Sequence, residues 1–260
     1  MKALKILFGI IIIICANPLY AKNNKLITLC SDERCPYTCK PNTNEEGYLV
    51  ELAKEAFGIV GIKVKYQSMP WFECLMKVES GELDGILGIT SAQDNHNLSK
   101  TQTPQAQSFI GVFTHANSTW QYDGFDSLKN KTMPIILNYE INKGLTRFVF
   151  NQYLHNSQNF IIEDGMTATY DAIMNLYNKR ADVFIVDQKV FHYYTNKENI
   201  GQFFKISGSI KQNNPLPLYI AFSNAKNNSK YYITILTNGI NTMKHNGKLQ
   251  KIQRKYGIEK

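Results

Sequence analysis

The sequence predicts an α/β fold built as two lobes about a cleft. Three observations carry that expectation. Strand, helix, strand, helix and strand patterns follow one another from Leu26 to Ile89, which predicts two βαβ units on a parallel sheet. A fresh series of strands and helices begins at Ser108–Phe113. Much later, Tyr219-Ile-Ala-Phe222 reads as a strand returning to the first lobe. The expected division is residues 22–107 with 215–260 in one lobe and 108–214 in the other.

The N-terminus comes first. Lys2 and Lys5 precede an apolar run from Ile6 to Ala16, and Leu19-Tyr20-Ala21 supplies a small residue for cleavage. This reads as a secretory signal peptide over 1–21. The run falls short of the ~20 residues that a spanning helix needs. Cys15 follows Ile14, where a lipoprotein would carry a small residue. The expected mature protein is soluble and exported, with enough chain for one large or two small cores.

Leu26 to Cys30 reads as the first strand, and Gly47 to Gly58 as a helix with Leu49, Leu52, Ala53 and Ala56 on one face. Ile62, Val64 and Tyr66 alternate with Lys63 and Lys65, a strand with one wet side. After Trp71, the residues Phe72, Leu75, Met76 and Glu79 fall at helical spacing, and Ser80-Gly81 stops the helix. Ile86-Leu-Gly-Ile89 is uniformly apolar, as a central parallel strand would be. Ligands in open α/β sheets bind beyond the carboxyl ends of strands. That places Trp71, Thr90 and Ser91 at a cleft.

Asn95 to Pro104 is polar and irregular. Beyond it, Ile135–Leu137 reads as strand, while Lys143–Leu154, Thr167–Lys179 and Ser229–His245 read as helices. The last carries Tyr232, Ile235, Leu236 and Met243 on one stripe.

Charge and cysteines narrow the function classes. The formal charge is +8, and about +6 without the signal peptide. The lysines are scattered and no aromatic-basic cluster forms, so nucleic acid is not an expected partner. Cys30, Cys35, Cys39 and Cys74 remain after cleavage, an even count that predicts disulfides in an oxidising compartment. Three pairings are open. Cys35-Pro-Tyr-Thr-Cys39 can close locally, and Cys30 with Cys74 is the natural second pair. No histidine lies near them in sequence, so no metal site is expected, and no cofactor either.

Pro70-Trp71, the following Gly81-Glu-Leu-Asp84-Gly85, the apolar strand and Thr90 together resemble the extracytoplasmic solute-binding proteins of polar amino-acid ABC importers. The likeness continues over nearly all of the expected mature chain. Gly47-Tyr-Leu-Val-Glu51-Leu matches a family motif with Glu51 in place of aspartate. Asp126-Ser-Leu-Lys-Asn130-Lys131 matches another, with Asn130 in place of glycine. Arg180-Ala-Asp182-Val-Phe-Ile-Val-Asp187 and the terminus Asn246–Gly257 follow the pattern as well.

The resemblance implies a type 2 periplasmic-binding fold, closing about a hinge on a small polar solute and handing it to an inner-membrane ABC permease. It implies a monomer and no catalytic residues. By the same resemblance Trp71 and Tyr37 wall the ligand, Thr90 grips a carboxylate, and Asp187 holds an ammonium, although an acid there can equally cap the next helix. Asp84 and Asp182 are expected to pair locally.

One departure bears on the ligand. The family's carboxylate-clamping arginine aligns with Asn95, and no arginine occurs between Arg34 and Arg147. A second family arginine position holds Glu73. A planar, bidentate guanidinium grip is not reproduced by asparagine. Two expectations follow: a solute anchored by its amine at Asp187, or a clamp relocated to Arg34. A dehydratase of cyclohexadienyl acids on the same fold is the rival activity, with Glu33, Glu73, Asp187, His96 or His115 as its acid or base.

Overall fold

The computed structural model describes residues 26–90, 97–137, 139, 143–210 and 215–259. Ser91, Asn95 and His96, together with the signal segment, lie outside the described residues. The first sheet gathers β1 (Leu26–Ser31), β2 (Lys63–Ser68), β3 (Gly85–Thr90), β4 (Leu98–Lys100), β5 (Ala106–Ser108) and β11 (Leu216–Ser223). Its order is β2-β1-β3-β11-β4, with β5 also on β11. β1 pairs with β2 and β3 in parallel, the arrangement that the two helical crossovers α1 (Tyr48–Gly58) and α2 (Trp71–Glu79) allow. β11 joins β3 antiparallel, so the central strand has one parallel and one antiparallel neighbour. The parallel pairing expected over Leu26–Ile89 is present, and the later strands β4, β5 and β11 make the whole sheet mixed.

A second group holds β6 (Ile110–His115), β9 (Val183–Asp187) and β10 (Phe204–Ser209), antiparallel in the order β10-β6-β9. β7 (Met133–Ile136) and β8 (Phe160–Glu163) form a parallel pair beside it. α3 (Lys143–His155), α4 (Ala168–Tyr177) and α5 (Gln188–Lys197) accompany these strands. α6 (Ser229–His245) and α7 (Lys248–Lys255) return to the first sheet, where α6 lies on α1. Gly239 permits that contact, since a Cβ there would stand 2.7 Å from Ala56 Cα.

Several expectations change in the structure. The strand read from Ser108 to Phe113 is broken at Phe109, where the chain leaves β11 and enters the second sheet as β6. Part of the irregular stretch before it forms β4. α2 buries Trp71, Cys74, Leu75 and Val78, while Phe72 and Met76 face solvent. The helix thus turns inward the stripe that carries the disulfide. Both expected disulfides are present, Cys30–Cys74 and Cys35–Cys39, with Cα separations of 5.7 and 4.9 Å. Asn130 adopts φ 64°, a left-handed conformation that asparagine tolerates better than most residues. Glu51 reaches α7, where it accepts from Tyr256 Oη at 2.9 Å and Lys255 Nζ at 2.6 Å.

Candidate functional site

The loop after β1 is the first wall of the site. Asp32 and Arg34 leave the carboxyl end of β1, and Arg34 pairs with Thr38 across a short bridge that the Cys35–Cys39 disulfide closes. This stapled loop turns the Arg34 side chain inward. Arg34 is only 8% exposed, and its Nη2 donates to Gly88 O at 2.9 Å. Gly88 has φ 86°, and any Cβ there would collide with that Nη2. The guanidinium therefore occupies space that a glycine inside β3 leaves open. Arg34 Nε has no hydrogen-bond partner. Burial opposes the charge, but Tyr139 and the Asp32 and Asp187 carboxylates outweigh it and raise the pKa. The group stays a cation.

Aromatic rings gather on the same side. Tyr139, between β7 and α3, sets its ring 5.4 Å from that of Trp71, and Arg34 Cζ lies 5.3 Å from the Tyr139 centroid and 5.8 Å from the Trp71 centroid. Tyr139 Oη donates to Asp32 Oδ2 at 2.6 Å. A residue of the chain itself thus lies against Trp71, which is 3% exposed and whose Nε1 has no partner.

Asp187 closes β9 and opens α5. Its Oδ1 accepts from Val190 N at 2.9 Å, and its Oδ2 from Phe109 N at 3.1 Å and Tyr37 Oη at 3.2 Å. The Ser108 hydroxyl is a further donor. Burial raises the Asp187 pKa, with these donors and Arg34 opposing it. Four donors match the roughly four lone-pair sites of a carboxylate. The residue caps α5 and ties the first loop to the crossover, leaving little capacity for a ligand ammonium.

Arg34, Thr90, Ser108, Tyr139 and Asp187 open together on a cavity of about 540 Å³. Thr90 stands at the end of β3 and is buried. A cleft between two sheet systems, with Thr90 and Asp187 at strand carboxyl ends on its wall, has the form and size that ligand sites take.

The sequence profile of the bacterial extracellular solute-binding proteins, family 3, matches residues 27–259. The chain belongs to that family. No curated protein matches the chain. Among solved structures, a histidine kinase sensor domain with similarity to periplasmic binding proteins superposes with a TM-score of 0.72 at 16% identity, covering 90% of this chain and 96% of that one. An ancestral arginine-binding protein bound to arginine gives 0.71 at 19%, covering 89% and 97%. An amino acid ABC transporter substrate-binding protein from Streptococcus pneumoniae, bound to L-arginine, gives 0.70 at 16%, covering 90% and 94%. The shared architecture is the two-lobed type 2 fold of periplasmic binding proteins.

Of the residues expected at the family's ligand site, the structure brings Arg34, Tyr37, Thr90 and Asp187 together, with Trp71 behind Tyr139. Glu73 is not among them. It lies on the exposed side of α2, 3.5 Å from Lys77, because the helix turns Trp71 and Cys74 inward. Asp84 and Asp182 make structural bonds, but long-range rather than local ones, Asp84 with Thr28 and Lys226 and Asp182 with Thr132 N. Asp32, Gly88 and Tyr139 went unnoticed in the sequence. Gly88 had a readable signal, an isolated glycine inside an apolar strand, which marks a close approach. Asp32 and Tyr139 had none.

Proposed function

We propose that the protein is a periplasmic receptor that grips an amino-acid-like solute by its carboxylate and delivers it to an ABC importer. The signal segment 1–21 would export it, and the lobes, divided at 107/108 and 214/215, would close on the solute. The observation that carries the reading is the buried Arg34 guanidinium on the cavity wall beside Thr90. A buried cation with spare donors is satisfied by an anionic ligand group. Arg34 then takes the part of the absent family arginine. The amine-anchored alternative is less well supported, because the Asp187 oxygens already accept from four donors. The related structures bound to arginine agree with an amino-acid ligand class.

Calorimetric titration of refolded, ligand-stripped protein with a panel of amino acids tests this. Arg34→Ala should weaken binding a hundredfold or more, about 2.7 kcal/mol. If Arg34→Ala leaves affinity unchanged while an amine lacking a carboxylate binds, the solute is anchored by its amine instead.

A further inference from the structure

The polar groups account for only a small part of the cavity. Most of its wall is aliphatic or aromatic and comes from β6, β7, β9, β11 and α3, with Met133, Ile135, Leu145, Val149, Phe184 and Leu216 among its members. Arg34 and Asp187 are the charged residues among the described residues lining it. α3 turns an apolar side to this space, and Phe150, Tyr153 and Ile162 on the lining are more than a third exposed.

This wall is poorly matched to a strongly polar side chain. A second ligand cation, as in arginine or lysine, would lie among methyl groups, and the acid on the wall is already hydrogen-bonded. Burying an unpaired charge is heavily unfavourable. A carboxylate alone would satisfy Arg34 and leave the rest of the space without favourable contacts. An apolar body attached to that carboxylate satisfies both parts.

We propose that the solute is amphipathic: its carboxylate meets Arg34, and an aliphatic or aromatic body of several carbons lies in the chamber beneath α3. This rests on the carboxylate-gripping receptor reading and adds the class of solute. The wall discriminates by size and apolarity, and the guanidinium by charge.

The test is calorimetry of the mature, ligand-stripped protein with one head group and a lengthening tail: alanine, norvaline, norleucine and 2-aminooctanoate. Each methylene entering the chamber should lower Kd about fourfold. Val149→Trp fills the chamber from α3 and should remove the gain of the longer members while leaving alanine within about threefold. Ile135→Phe serves if that variant does not fold, and the wild-type series stands by itself. A Kd that is flat or rises with length, while short polar amino acids bind, overturns the amphipathic solute and leaves the receptor reading intact. Loss of length dependence without loss of alanine binding in Val149→Trp supports the chamber. Equal loss across the whole series in that variant, in a folded protein, places the tail elsewhere and overturns it. If the series binds with the expected gradient but Arg34→Ala changes nothing, the carboxylate reading is what fails. If no member binds, both fall.

Discussion

At the scale of single residues, Gly88 decides where the Arg34 cation stands. Its φ of 86° is costly for any other residue, and the missing Cβ is the space the guanidinium fills. Gly88→Ala should displace Arg34 and strain β3, lowering stability by about 1–3 kcal/mol. The expected result is a drop of several degrees in the unfolding midpoint together with weakened solute binding. A variant with native affinity would mean that Arg34 does not touch the solute. Asp187 supplies a second residue-scale test through pH. Burial raises its pKa in the folded state. The stability it contributes is therefore present below the unfolded value and lost as pH rises through the higher folded one. The midpoint of the wild type minus that of Asp187→Asn should shrink on going from pH 3 toward neutrality. A difference that grows instead would mean that the donors around Asp187 outweigh its burial.

At the scale of elements, Asp84 shows the opposite sign. It accepts from Thr28 N and Thr28 Oγ1, both at 2.7 Å, and pairs with Lys226 Nζ at 2.8 Å, so it ties β1 and the segment after β11 to the start of β3. Burial pushes its pKa up, but Lys226 and the Thr28 donors outweigh it and the net shift is downward. Its stabilisation is present above the unfolded value and lost as pH falls through the folded one. The wild-type advantage over Asp84→Asn should grow between pH 3 and 6, as thermal unfolding at a series of pH values would show. The Cys30–Cys74 bridge joins β1 to α2 across 44 residues. Removing it as Cys30→Ala with Cys74→Ala should cost about 4 kcal/mol on the chain-entropy estimate. That corresponds to roughly 8–16 °C of melting temperature.

These elements were also the most readable in the sequence. Amphipathic stripes in α1 and α6 and uniform apolarity in β3 report burial directly, because one face of each meets one core. The stripe of α2 misled because Trp71, Cys74, Leu75 and Val78 form an alternative apolar face, and the disulfide with β1 selects it. The break at Phe109 was invisible for another reason. The backbone N–H of Phe109 donates to Asp187, a partner 78 residues away that no local pattern announces. The same holds for Tyr139 and Asp32, which meet across 107 positions. Family motifs pointed to Thr90 and Asp187, yet the hydrogen bonds that occupy Asp187 exist only in the folded chain.

At the scale of the whole molecule, the two sheet systems are joined by a few long-range polar bonds near the cleft. Tyr139 Oη donates to Asp32 at 2.6 Å, Tyr194 Oη donates to Glu33 O at 3.0 Å, and Glu33 N donates to Met166 O at 3.1 Å. Each acceptor or donor on the first side belongs to the loop after β1, and its partner belongs to the second group of elements. Bonds of this kind contribute about 0.5–1.5 kcal/mol each. On the proposed closure of the lobes about a hinge, they favour the closed arrangement without a solute. Removing two of them, as Tyr139→Phe with Tyr194→Phe, should shift the closed-to-open ratio about 5- to 150-fold toward open. Small-angle scattering of ligand-free protein should then show a larger radius of gyration for the double variant, and saturating solute should bring it back to the wild-type value. Apparent affinity should fall in step, since the solute must now supply the closure itself. An unchanged radius with unchanged affinity would place the closing free energy in apolar contact between the lobes rather than in these phenols.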